Sequence, residues 1–214
     1  MKTTAMSLLL TFAFIFLSIS VQFSAVSAAS EPVRDIKGRA LRKGVKYFIL
    51  PVTRGLGGGL ALGKKLNGAQ CPLEVVQAQR EISNGLPLTF SSVDPKEKVI
   101  RVSTDLNIKF SASSICVQSM VWKLANVDEK VSKSFIETNG IAGNPGRTTV
   151  DNWFKIEKDG VRKNTYKLKF CPTVCNVCKV MCKEVGIFVG RDRVRRLALI
   201  NDGERPFRVM FKKA

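Results

Sequence analysis

Histidine is absent from all 214 residues. Its absence excludes Ser-His-Asp and Cys-His nucleophilic chemistry and any metal site built on imidazole. Acidic residues are scarce, 17 Asp and Glu against 35 Lys and Arg, which leaves a net charge of +18. The few carboxylates are scattered. Asp128–Glu129 and Asp202–Glu204 read as turn and solvated-surface residues rather than paired acid and base. No stretch keeps a 3.6-residue apolar period over three turns, so helices are not expected to carry the fold. No Asn-x-Ser/Thr acceptor occurs, no internal repeat is evident, and no low-complexity segment divides the chain. This inventory points away from an enzyme, and it calls for no cofactor and no metal.

The residues that are present begin with a leader. Lys2 precedes an apolar run from Leu8 to Phe16, and small residues come after it with Val26 and Ala28 spaced for cleavage, the three-part layout of a secretory signal peptide. The run is short for a membrane span of about 20 residues, and Ser18, Ser20, Gln22 and Ser24 interrupt the stretch beyond it. Residues 1–28 are therefore expected to be removed, with cleavage after Ala28 or Ala29. Residues 29–214 remain as one secreted domain, soluble once the leader is gone and with no further membrane contact. Its basicity attracts anionic partners without choosing among acidic proteins, cell-wall polymers, phospholipid and nucleic acid. Nucleic-acid binding is not expected, because no binding module accompanies the charge.

The six cysteines are Cys71, Cys116, Cys171, Cys175, Cys178 and Cys182. Outside the cell an even count reads first as disulfides. The symmetric spacing C-x3-C-x2-C-x3-C suits nested bridges, Cys171–Cys182 outside and Cys175–Cys178 inside, which leaves Cys71 to pair with Cys116. A zinc site of four converging thiolates fits the spacing but not the oxidising compartment. A thioredoxin-like centre needs its C-x-x-C at the start of a helix, and these cysteines lie between β-like runs. With all six paired internally, a monomer is expected.

Short alternating segments rich in β-branched and aromatic residues dominate the rest: "KYFILPV", "LEVVQAQ", "VIRVST", "LNIKF", "CVQSMVWKLA", "SFIETNG", "NWFKIEK", "TYKLKF", "VGIFVG", "RRLALIN" and "FRVMFKK". They recur about every ten residues between Gly, Asn, Asp and Pro. About eleven or twelve strands in one all-β domain favour barrel-type closure over a simple sandwich. The glycine run "RGLGGGLALG", Arg54–Gly63, matches neither a dinucleotide fingerprint nor a Walker loop. It reads as a flexible connection between strands.

Several stretches together resemble the Kunitz-type β-trefoil protease inhibitors of plants. "VRDIKGRALRKGVKYFILPVTRGLGGGL" is similar to their N-terminal signature, with Asp35, Gly38, Leu41, Gly44 and Tyr47 on the motif positions. "CPLEVVQ", "VIRVSTDLNIKF", "CVQSMVWKL", "GNPGRTTVDNWFKIEK", "YKLKFCPTVCNVC" and "RRLAL" come next in the family's order, and the four-cysteine cluster is similar to that of the miraculin-like branch. The likeness runs from Val33 to Lys213. It implies a β-trefoil of twelve strands in three pseudo-repeats, stapled by disulfides in the pairing given above. It also implies a plant setting, the extracellular apoplast or the vacuole, and a role in defence.

Members of this family block proteases, mostly serine endopeptidases, with an exposed loop that enters the active site like a substrate. By this resemblance the loop is Ser91, Ser92, Val93, Asp94, Pro95, Lys96, Glu97 and Lys98, inside the span closed by Cys71 and Cys116. The loop carries one residue more than trypsin-inhibiting members, so the specificity position falls on Pro95 or Lys96. Lys96 is preferred because its ammonium reaches the carboxylate of a trypsin-like pocket, with Lys98 next. Two departures bear on strength. Lys43 stands where strong inhibitors carry a loop-supporting Asn, and it has no acceptor to offer, so a looser loop is expected. Glu97, directly after the scissile position, and Asp94 give trypsin no evident help.

The expected partner is a trypsin-like serine endopeptidase, with a papain-like cysteine protease as a second possibility. The alternative is a miraculin-like defence or binding protein whose loop has weakened and whose basic surface holds an anionic partner. Residues 155–214 motivate it, with 16 Lys and Arg against 6 Asp and Glu, densest in "RDRVRR", Arg191–Arg196. The plainer reading of that run is a hairpin whose alternating arginines face water. Taste modification through an acid switch finds no support, because such switches draw on histidine.

Overall fold

Alternation of apolar and polar residues determines the elements. In the computed structural model, which describes residues 30–214, the sequence YKLKF buries Tyr166, Leu168 and Phe170 while Lys167 and Lys169 face outward. This is the two-residue period of a strand with one face on a core. The expected leader, residues 1–28, lies outside the described residues.

Twelve strands form among the described residues. In chain order they are β1 Tyr47–Pro51, β2 Leu60–Gly63, β3 Glu74–Gln77, β4 Leu88–Ser92, β5 Leu106–Phe110 and β6 Val121–Asp128. They continue with β7 Lys133–Gly140, β8 Lys155–Lys158, β9 Tyr166–Phe170, β10 Lys183–Val189, β11 Arg195–Leu199 and β12 Arg208–Lys213. A single 3-10 turn, Arg147–Asn152, precedes β8. Neighbouring strands pair in the order β10-β11-β3-β7-β6-β5-β4-β1-β12-β9-β8, and β9 pairs back onto β10, so ten strands close a ring with β8 and β2 added outside it. Closure removes the exposed edges that an open sheet would leave. No helix among the described residues is long and apolar enough to cross a membrane.

The ring encloses a continuous apolar core that includes Leu41, Ile49, Leu88, Phe90, Ile108, Trp122, Phe154, Leu168, Val209 and Phe211. Tyr47, Phe90, Phe211 and Tyr166 form one chain of ring contacts, with centroids 5.5–6.2 Å apart. Phe110, Trp122, Phe154 and Phe170 form another at 5.7–6.0 Å. Many of the polar groups drawn inside are bonded. Asn107, 2% exposed, donates from Nδ2 to the carbonyl of Asn152 at 2.8 Å and accepts from the Gly143 amide at 2.7 Å. Disulfides join Cys71 to Cys116, Cys171 to Cys182 and Cys175 to Cys178.

Three local expectations are corrected. "VIRVST" does not form a strand. It makes isolated bridges, Val99 to Arg42 and Arg101 to Pro32, because its partners are the short N-terminal segments and not a full neighbouring strand. The glycine run is no flexible connection: Leu60–Gly63 is strand β2, and the glycines before it are pressed against backbone. A Cβ on Gly58 would lie 2.4 Å from the carbonyl oxygens of Arg80 and Ser83, and one on Gly59 would lie 2.0 Å from that of Asn84. The arginines of "RDRVRR" do not all face water either. Arg196 is 1% exposed, directed inward by the strand alternation that leaves Arg195 on the other face.

Candidate functional site

The segment between β4 and the bridge at Val99 protrudes, and it corrects the loop boundaries. Ser91 and Ser92 are part of β4, in register with Asn107 and Leu106 of β5. The free loop is therefore Val93 to Lys98, with Asp94, Pro95, Lys96 and Lys98 exposed. Proline's fixed φ suits the second position of a turn. Here the Glu97 amide donates to the Asp94 carbonyl at 3.2 Å around Pro95 and Lys96. The Asp94 carboxylate caps the same turn by accepting from the Lys96 amide at 2.9 Å.

Both sides of the Lys96–Glu97 peptide are held from outside the turn. On the N-terminal side Lys43 donates from Nζ to the Pro95 carbonyl at 2.8 Å, reaching across 52 residues of sequence. Its own amide donates to the Lys98 carbonyl at 3.0 Å. Lysine at this position thus still bonds the loop backbone, through its ammonium. A carbonyl needs a donor, and the ammonium on its long stem supplies one. On the C-terminal side Glu97 accepts from the Val99 amide and from Arg101 Nε, each at 3.0 Å. The Val99 amide first, and the Arg101 guanidinium second, hold the Glu97 carboxyl below its ordinary value. Asp94 and Glu97, which offered nothing to a protease in the sequence, are braces of the loop.

The root of the loop is tied to the cysteine-rich segment. The Val93 amide donates to the Asp105 carbonyl at 2.9 Å. The carboxylate of the same Asp105, 5% exposed, accepts from the Thr173 amide at 2.9 Å and lies 3.7 Å from Lys155 Nζ. Thr173 sits between Cys171 and Cys175, so the outer bridge to Cys182 steadies a residue that steadies the loop's first turn. Sequence reasoning missed Asp105 and Arg101. The i, i+4 spacing of Glu97 and Arg101 was the available signal, but that spacing usually indicates a helix, and no helix forms here.

The rival basic surface loses one arginine to the interior. Arg191 and Arg193 are exposed, but Arg196 is committed to Glu74 and Asp192 at 2.6 Å each. No group of three or more acidic or cysteine side chains placed to hold a metal ion occurs among the described residues.

Comparison with known proteins supplies independent findings. The family profile of legume Kunitz proteins, described as trypsin and protease inhibitor, matches residues 33–213. Kunitz trypsin inhibitor 5 of Arabidopsis thaliana is 51% identical over 97% of this chain and 98% of its own. Miraculin of Synsepalum dulcificum is 46% identical over 89% of this chain and 86% of its own. Among solved structures, a Kunitz-type cysteine protease inhibitor from potato superposes with a TM-score of 0.72 at 32% identity, covering 86% of this chain and 98% of that one.

Proposed function

The chain belongs to the legume Kunitz family of trypsin and protease inhibitors, and from that membership we propose that it inhibits trypsin-like serine endopeptidases by inserting its 93–98 loop into the active site. Lys96 is the residue that enters the specificity pocket, where its ammonium meets the pocket carboxylate. The closed ring of strands is a β-trefoil of three pseudo-repeats, and residues 29–214 form the one mature domain, secreted after loss of the leader. The protein acts by binding and not as an enzyme.

One observation carries the reading: the carbonyl before Lys96 and the side chain after it are each fixed by a partner outside the turn. A loop held this way loses little entropy on docking, so a standard-sized interface binds tightly. Should the protease cut the Lys96–Glu97 bond, both new ends stay in place inside the span closed by Cys71 and Cys116. Resealing then competes with release.

The test is titration of trypsin, chymotrypsin and papain with the oxidised 29–214 protein and with Lys96→Ala. Tight trypsin inhibition that the substitution abolishes is the expected result. Inhibition that survives it moves the site away from Lys96. Absence of inhibition of all three, with the loop cut at Lys96, overturns the reading in favour of a binding protein.

A further inference from the structure

At the far end of β1 from Lys43 lies a cavity of about 440 Å³ that the protease reading does not use. It falls within the range of about 300–1,000 Å³ typical of small-ligand sites. The apolar side chains of Leu56, Ile187 and Phe207 form part of its wall, and the guanidiniums of Arg195, Arg205 and Arg208 form another part. No carboxylate lines it. Arg208 is partly neutralised by Asp159 at 2.9 Å, whereas Arg205 is exposed.

A buried amide at the wall orients one of these guanidiniums. Gln77, 2% exposed, accepts from Arg195 Nε at 2.8 Å through Oε1. Arginine has no acceptor, so the oxygen must face it and the NH2 group is directed away. That group, Nε2, is buried and has no hydrogen-bond partner among the described residues. Gly57 packs against the amide and holds it there, for a Cβ at that position would stand 3.2 Å from Nε2 and 2.8 Å from the Ala78 carbonyl.

We infer that this cavity binds a small amphipathic carboxylate, its apolar body against Leu56, Ile187 and Phe207 and its charge at Arg205 and at Arg195, which Gln77 holds in place. The cations supply charge-assisted bonds, the Gln77–Arg195 bond supplies direction, and the apolar wall supplies the area-dependent part of the affinity. This inference stands apart from protease inhibition, since the loop and the cavity flank opposite ends of β1.

The experiment uses the oxidised 29–214 protein and the fluorescent anion anilinonaphthalene sulfonate as probe, with decanoate as competitor and neutral N-phenylnaphthylamine as control. Saturable one-to-one binding is expected, with displacement by decanoate and about tenfold weaker binding of the neutral control. Arg205→Gln, on the surface, should weaken probe and decanoate by about tenfold at an unchanged melting temperature. Gln77→Leu, which releases the Arg195 guanidinium, should weaken decanoate several-fold. No saturable binding, equal binding of the neutral control, or indifference to both substitutions would overturn the assignment.

Discussion

Arg196 Nε and Glu74 Oε2 face each other at 2.6 Å with both side chains 2% exposed. Asp192 closes the other side of the guanidinium at 2.6 Å. Burial pushes the Glu74 carboxyl upward, opposed by the Leu66 amide and by Arg196. Removing one member of such a group leaves a buried charge alone, whereas removing both sides together is far milder. Arg196→Met should therefore cost about 3–5 kcal/mol in urea unfolding, and Arg196→Met with Glu74→Leu should regain most of it. An unchanged midpoint in the single variant would contradict this role.

Acid should destabilise the protein through its depressed carboxyls, three of which lie outside the 93–98 loop. Bonds from the Arg196 guanidinium hold Asp192 below its ordinary value, and those from Lys133 do so for Glu204. For Asp35, burial pulls upward but the amides of Arg39 and Lys37 and the Arg39 guanidinium more than offset it. A group depressed in the folded state adds stability above its unfolded value of about 4, and that stability is lost as pH falls through the folded value. Glu74 has the opposite sign: its raised carboxyl favours folding at low pH, and the benefit fades as pH rises through its folded value. With no histidine, little else titrates between about pH 5 and 8. The urea midpoint should stay nearly level across that window and then fall below about pH 4. Asp192→Asn should flatten the fall, and an equally steep fall in that variant would remove Asp192 from the account.

The all-β class was legible in sequence because two-residue alternation survives in strands such as Tyr166–Phe170. It misled in "VIRVST", where strand-like residues met only fragments to pair with. It also misled at Arg196, since alternation alone does not say which face of a strand is the interior until the neighbours are known. The loop's place was legible through the resemblance. Its braces were not, because the contact of Lys43 with Pro95 spans 52 residues and no local rule reaches so far.

Gly59 of the glycine run and Gly68 beyond it offer a contrast of two substitutions. Gly59→Ala forces a Cβ to within 2.0 Å of the Asn84 carbonyl, a backbone atom that cannot swing aside. Overpacking of this kind should cost about 3 kcal/mol or more. Gly68 has φ of +85° with nothing within 4 Å of the added Cβ. Gly68→Ala should cost only the backbone penalty of about 1–2 kcal/mol. Thermal unfolding separates the two, and equal losses would mean the run is as loose as its composition suggests.

The disulfides should contribute unequally. On the chain-entropy account the Cys71–Cys116 bridge, spanning 45 residues, is worth about 4 kcal/mol. The Cys175–Cys178 bridge, spanning 3, is worth about 2 kcal/mol. Replacing Cys71 and Cys116 by Ser should lower the melting temperature more than replacing Cys175 and Cys178. Only the first pair encloses the loop, so only that replacement should let a protease-cut chain separate under native conditions. Mass analysis of trypsin-treated variants reads this directly.

Lys43 decides how firmly the loop is presented. If its bond to the Pro95 carbonyl preorganises the Lys96–Glu97 peptide, Lys43→Ala should weaken trypsin inhibition by about fivefold, the worth of one exposed hydrogen bond. It should also speed cutting after Lys96, since a mobile loop is processed as substrate. Lys43→Asn should fall between the two, because its amide is a donor on a shorter stem. The melting temperature should not move in either variant, as the contact is exposed and outside the core. Inhibition unchanged in Lys43→Ala would show that Glu97, Arg101 and the Val93–Asp105 bond hold the loop without it.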